Sequence, residues 1–197
     1  MSVMSDLSAI EKTRMRAMRN GVYHSMRRQF FERCERVANL AVLLLGAASV
    51  AQVAAKTFGA DSSGLVFGFL VAVVGGLQLV FNFGGRARDH AMFQARFYGL
   101  MARAERPGED PDRTAAEIES EMATFYGEEP PTYHVVNALA YNAVQDSFGR
   151  PDKRALFKIG FKENLFKNVL HYSPNDLKTY GEIEADKRHD GGKLASV

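Results

Sequence analysis

Few side chains in this sequence are spaced for bond-making chemistry. Five histidines, His24, His90, His134, His171 and His189, are scattered along it. None falls in an HExxH or other two-histidine spacing, so no metal site is expected. Asp89 and His90 stand beside Arg86 and Arg88, and an acid next to an imidazole has the outline of a catalytic pair. A charged helical stretch produces such neighbours by chance, and no GxSxG, CxxC, Walker loop or GxGxxG accompanies them. Cys34, the one cysteine, leaves no internal disulfide, fits a reducing compartment and reads as a passive thiol despite Arg33 beside it. The expectation is no enzyme, no catalytic residue and no cofactor.

The polar side chains that stand out are amides in apolar surroundings. Gln52 lies in the run 37–55 (VANLAVLLLGAASVAQVAA), and Gln78 and Asn82 lie in the run 64–83 (GLVFGFLVAVVGGLQLVFNF). At helical spacing Gln78 and Asn82 share a face with Gly64, Gly68, Val71 and Gly75, and Gln52 shares one with Ala41, Leu45, Ala48 and Ala55. Gly64 and Gly68 form a GxxxG pair. Between helices in lipid, small residues permit close approach and amides hydrogen-bond across the contact.

The elements that must position these residues follow from the runs themselves. Neither run carries a charged side chain. As helices they span about 29 and 30 Å, the thickness of a bilayer's hydrocarbon core. Eight residues, Lys56 to Ser63, separate them, with Asp61, Ser62 and Ser63 supplying turn chemistry. A linker that short implies antiparallel neighbours. A soluble fold would have to bury both helices on every side, which a chain of 197 residues does not easily do. The net charge of +2 hides this, because the apolar residues are gathered into two blocks. The expected fold is therefore an all-α membrane protein: a two-transmembrane antiparallel hairpin over 37–85 with a cytoplasmic helical bundle. A secretory signal peptide would place a shorter apolar core nearer Met1, so none is expected.

Flanking charge sets the orientation. Arg27, Arg28, Arg33 and Arg36 precede the first run, Arg86, Arg88 and Arg96 follow the second, and the loop holds Lys56 with Asp61. Basic residues stay on the cytoplasmic side, so both termini are expected there. Gln52 then lies near the outer end of its span and Gln78 near the inner end, about 10 Å apart in depth. The two amides cannot satisfy each other, and an unpaired amide in hydrocarbon is costly. Self-association of the second span is expected, with Gln52, Gly64, Gly68, Gly75, Gln78 and Asn82 as the oligomerisation or pore-facing set.

Residues 1–36 read as one cytoplasmic helix, capped by Ser5 or Asp6, with Met15, Met18, Val22, Met26 and Phe30 along a stripe. Residues 86–149 read as three cytoplasmic helices. The first carries Phe93, Phe97, Leu100 and Met101 and ends at RPGEDPD (106–112). The second carries Ala115, Ile118, Met122 and Phe125 and breaks at GEEPP (127–131). The third, over 132–148, turns Tyr133, Val136, Ala140 and Ala143 inward. Residues 150–172 are expected as a basic amphipathic helix on the membrane surface, through Arg154, Phe157, Lys158, Phe161 and Lys162. The polar tail 173–197 is expected to be disordered. After the second run there are 16 basic and 18 acidic residues, which argues against a nucleic-acid partner.

The order of three segments resembles a known family. YHSMRRQFFERCERVAN runs into the first span, LVFNFGGRARDHAMFQARFYGL leaves the second, and EEPPTYHVVNALAYNAV follows. Together they resemble the SLATT family, two-transmembrane proteins of bacterial conflict systems, over roughly residues 12–150. The positions matching the family's recurring segment are Pro130, Pro131, Tyr133, Asn137, Tyr141 and Asn142. The resemblance implies an inner-membrane effector, held quiet until a signal arrives, that oligomerises to form a pore or perturb the membrane in anti-phage defence. It also implies control by a separate nucleotide-generating or nucleotide-sensing protein, since no sensor is fused to this chain. The competing expectation is a non-conducting anchor or scaffold that recruits a soluble partner. A phage-type holin shares the size and span count but usually lacks so large a structured cytoplasmic part.

Overall fold

The computed structural model describes residues 7–57, 64–149 and 152–194. The described residues are helical apart from turns and one isolated antiparallel bridge between Phe157 and Thr179. The helices are α1 (Ala9–Thr57), α2 (Gly64–Phe81), α3 (Phe83–Ala104), α4 (Pro111–Glu128), α5 (His134–Ser147), α6 (Phe161–Phe166) and α7 (Tyr180–Leu194). The chain divides into two compact units, residues 28–89 and residues 1–27 with 90–197.

In the larger unit α1 starts with a reciprocal cap. The Ser8 N–H donates to the Glu11 carboxylate at 3.0 Å, and the Glu11 N–H donates back to Ser8 Oγ at 3.4 Å. Such a cap is worth about 1 kcal/mol. Ser5 and Asp6, expected as the cap, lie outside the described residues. From Thr13 to Arg27 α1 is buried on several sides, at Met15, Ala17, Asn20, Tyr23 and His24 among others. It is a central helix rather than the one-sided helix that the methionine stripe suggested.

Around it pack the helices read from their apolar spacing. Ala17 joins Phe93, Phe97 and Leu100 of α3 and Ile118 and Met122 of α4 in one core cluster. Tyr23 meets Val136 and Ala140 of α5, and Met15 meets Val144. Ala143, expected on the inner side of α5, is exposed; Val135, Ala138 and Val144 are buried instead. Asp110 caps α4 by accepting from the Arg113 N–H at 3.0 Å, with Pro111 in the first turn. The residue at the α5 N-cap, Tyr133, makes no side-chain cap bond of its own. Its N–H donates instead to the Tyr23 hydroxyl of α1 at 3.2 Å.

The C-terminal part differs from the expectation. The described residues of this stretch, 152–172, do not form one amphipathic helix. They hold a single turn at Lys153–Ala155, an extended passage at Phe157 and the six-residue α6. Gly160 is extended and precedes α6, and the amide of Asn142 captures the Phe157 backbone. Both interrupt helical hydrogen bonding. The stretch expected to be disordered also carries structure: a turn at Pro174–Asp176 and then α7. A second reciprocal cap explains α7, because the Thr179 N–H donates to Glu182 at 2.7 Å and the Glu182 N–H to Thr179 Oγ1 at 3.3 Å.

In the smaller unit, the second half of α1 and all of α2 are long and apolar enough to cross a membrane, and none of either apolar window is buried. Asn82 separates α2 from α3 with φ 43°, a left-handed conformation that asparagine tolerates better than most residues. Its side-chain oxygen accepts from the Gly85 N–H at 3.2 Å.

Candidate functional site

Three arrangements of polar groups have a geometry that could matter for function. The first lies in the unit of residues 28–89. Gln78 Nε2 donates to Asn39 Oδ1 at 2.8 Å. A Cβ added at Gly68 would lie 3.9 Å from Ser49 Oγ. Ten residues along α1, from 39 to 49, thus correspond to ten residues back along α2, from 78 to 68. The stripes expected from spacing fall largely on half-buried positions: Ala41, Leu45, Ala48 and Gln52 on α1, and Val71, Gly75 and Gln78 on α2. Gly68 and Asn82 are exposed, and Asn82 spends its oxygen on the turn. Gly64 opens α2. Gln52 Oε1 is buried and has no hydrogen-bond partner.

Sequence spacing did not reveal the partner of Gln78. The amide expected to need a second subunit is matched by Asn39, near the start of the first apolar run. Beyond them a polar cavity of about 160 Å³ is lined by Glu35, Gln78, Asn82 and Arg88 with the glycines of the turn. A Cβ at Gly84 would run into the Glu35 carboxylate, and one at Gly85 into the Asn82 amide. A side chain at either position would displace the end of the Glu35 or Asn82 side chain.

The second arrangement is a buried imidazole pair in the larger unit. His24 and His90, far apart in sequence, face each other Nδ1 to Nδ1 at 2.8 Å, with 0% and 4% exposure. His24 stacks on Phe93 and Phe97 at centroid distances of 5.1 and 5.5 Å. Its Nε2 lies 3.3 Å from Glu129 Oε1. The Asp89–His90 neighbourhood is thus split, since Asp89 is exposed and His90 belongs to the core. Among the described residues no group of three His, Cys, Asp or Glu side chains could hold a metal ion.

Beside this pair Arg27, 3% exposed, lies with its guanidinium 3.9 Å from the centre of the Tyr133 ring. It donates to the Asn168 carbonyl at 2.9 Å and to Asn168 Oδ1 at 3.0 Å. Burial pushes the Tyr23 hydroxyl above the usual phenol range, against the Tyr133 N–H and Arg27, which favour the phenolate.

The third arrangement is a cleft. One cavity of about 310 Å³ is lined by Arg19, Asn137, Tyr141, Phe157, Leu177 and Thr179 among others. An adjoining one of about 260 Å³ shares Arg19 and Tyr141 and adds Lys12 and Arg16. None of the lining residues is acidic, and Arg19 Nε is buried without a hydrogen-bond partner. Arg16 is paired with Glu119 at 3.0 Å, so the positive charge of the cleft comes from Lys12 and Arg19. Its aromatic walls come from Tyr141 and Phe157, whose rings meet edge to face at 5.5 Å.

These placements give the segment 130–142 distinct structural parts. Pro130 and Pro131 are exposed in the link between α4 and α5. Tyr133 sits between Arg27 and His171, Asn137 and Tyr141 line the cleft, and Asn142 holds the Phe157 backbone. Of the residues expected at a membrane surface, Arg154 pairs with Glu184 at 3.3 Å and Phe157 is half-buried in its bridge. Lys158, Phe161 and Lys162 are exposed. No family model, no curated protein and no solved structure matches this chain.

Proposed function

We propose that the chain is an integral protein of a bacterial inner membrane, in which two apolar helices form an antiparallel hairpin and both termini are cytoplasmic. The hairpin tethers the larger unit, a cytoplasmic bundle, as a non-conducting anchor that recruits a soluble partner. One observation carries the membrane reading: neither apolar window has a buried residue, whereas the other unit encloses a core. Leu65, Leu79 and Val80 are 92%, 84% and 78% exposed. Each would gain about 1.5–3 kcal/mol on full removal from water, which a bilayer provides. The Asn39–Gln78 and Ser49–Gly68 contacts support the antiparallel pairing, and the flanking arginines support the orientation.

The anchor is favoured over a pore because Gln78, the amide best placed to line one, is spent on Asn39 within the chain. The electropositive cleft at Arg19 and Tyr141 suits an acidic group of the partner or a small anionic signal. A second reading is a homo-oligomeric, membrane-perturbing effector of anti-phage defence, as the SLATT resemblance implies, under a separate nucleotide-generating or nucleotide-sensing protein. The open space beside Gly75 and Gly76 favours it, since small residues let a neighbouring subunit approach closely.

Ion leakage from induced cells, measured with the neighbouring genes present and under phage challenge, separates the two. An intact membrane is the expected result for the anchor. Rapid depolarisation that Gly68→Leu abolishes would overturn it in favour of the effector.

A further inference from the structure

We infer that Phe161–Leu170 is a wedge that seats in the headgroup layer of an anionic bilayer, an inference that rests on the membrane reading above. Within ten residues it exposes Phe161 by 81%, Leu165 by 63%, Phe166 by 44%, Val169 by 62% and Leu170 by 49%. Elsewhere among the described residues of the same unit, large exposed apolar side chains stand singly, at Met92, Tyr126 and Tyr180. Scattered apolar residues need no explanation, but a cluster of five marks a contact surface.

The wedge is built rather than frayed. The Leu170 N–H donates to the Phe166 carbonyl at 2.9 Å, and the Val169 N–H to the same oxygen at 3.0 Å. Arg27 of α1 grips both the carbonyl and the side chain of Asn168, and the His171 ring lies 4.2 Å from the Tyr133 ring. The apolar cluster is therefore held on the bundle at its middle and end while its side chains project outward.

Charge selects the occupant. Residues 153–172 contain five Lys or Arg against the single acid Glu163. Arg154 is exposed but paired with Glu184, Phe157 is half-buried, Lys158 and Lys162 are exposed beside the cluster, and Lys167 is half-buried within it. Lysines bordering an apolar face complement anionic lipid headgroups. A symmetric contact between two copies would set this basic segment against itself, and a partner protein would have to be acidic and apolar together. The lipid surface satisfies both requirements at once.

The test uses the full chain in a Cys34→Ser background, with an environment-sensitive fluorophore on Leu165→Cys or, as a control on α5, on Ala143→Cys. The protein is placed in nanodiscs of phosphatidylcholine with and without phosphatidylglycerol, carrying lipid with a shallow spin-label quencher. Retention of the chain in cell membranes through alkaline carbonate is checked first. The Leu165 label should be quenched about twofold more than the Ala143 label in anionic discs. Replacing Lys158, Lys162 and Lys167 with glutamine should reduce that difference. Equal quenching at both positions in a carbonate-resistant protein overturns the wedge alone. A Leu165 crosslink between copies does the same, in favour of a dimer surface. Release by carbonate overturns the membrane reading beneath it.

Discussion

His24 and His90, sixty-six residues apart in sequence, meet Nδ1 to Nδ1 at 2.8 Å in the core of the larger unit. A nitrogen–nitrogen contact this short accommodates one hydrogen, so one imidazole donates and the other accepts. The pair ties the central helix α1 to α3 at a point where both rings are shielded from water. His24→Leu removes the partner that His90 Nδ1 faces, and a loss of about 1–3 kcal/mol is expected. His90→Leu should cost a similar amount. The double replacement should cost less than the sum, with a coupling of about 0.5–3 kcal/mol. Denaturant unfolding of the four proteins in detergent measures this; strict additivity would show that the contact contributes nothing.

Tyr23 gives the unit a defined alkaline limit. Its folded pKa is raised, chiefly by burial, so the neutral phenol is the form the fold prefers. Its contribution is complete below the unfolded value of about 10 and is lost as pH rises through the higher folded value. Stability of the wild type should fall as pH rises above about 10, because the unfolded chain releases its proton first. Tyr23→Phe should be less stable at neutral pH, having lost the acceptor for the Tyr133 N–H. It should also lose less on going alkaline. Melting temperatures of both proteins across this range decide it, and parallel curves would remove Tyr23 as the cause.

What could be read from sequence was what repeats locally. The two apolar runs, the stripe Phe93, Phe97 and Leu100, and the stripe Ala115, Ile118 and Met122 are one-dimensional patterns with one physical meaning. The pairing of His24 with His90, and of Gln78 with Asn39, depends on which helix faces which, and spacing along one helix carries no such information. The segment 150–172 departs from its pattern for a related reason. Its lysines and phenylalanines recur at helical intervals, but Gly160 and the distant Asn142 override that pattern. The start of α7 is legible in Thr179 and Glu182, which have the spacing of a reciprocal cap. Asn82 reads as a polar residue in an apolar run, whereas its left-handed backbone makes it the turn that ends α2.

The contact between α1 and α2 can be tested without disturbing the amides. In a Cys34→Ser background, Ser49→Cys with Gly68→Cys places two thiols where a Gly68 Cβ would lie 3.9 Å from the Ser49 side chain. Mild oxidation in native membranes should give a disulfide within one chain, seen as a faster-migrating monomer on non-reducing gels. A disulfide-linked dimer as the main product would mean that these faces belong to different copies. In the same membranes Gln78→Leu should weaken the pairing by about 0.6–2 kcal/mol, the range for a hydrogen bond between helices in lipid.

Asn142 is the hinge pin of the C-terminal segment. Its Nδ2 donates to the Phe157 carbonyl at 2.8 Å, and its Oδ1 accepts from the Phe157 N–H at 2.9 Å. One side chain thus satisfies both backbone groups of a residue that has left helical geometry. Asn142→Asp keeps the acceptor but turns the other oxygen toward a carbonyl, so one of the two bonds is replaced by repulsion. Asn142→Ala loses both and should cost about 1–3 kcal/mol, by leaving a half-buried peptide unpaired. The effect should be local, because residues after Phe157 reach the rest of the fold through few other bonds, chiefly Arg27 to Asn168. Hydrogen exchange of the Phe157 and Lys158 amides should rise sharply in Asn142→Ala while the amides of α3 and α4 keep their protection. Unchanged exchange at Phe157 would show that the Asn142 bonds do not hold the segment, and loss of protection throughout would make Asn142 a determinant of the whole bundle.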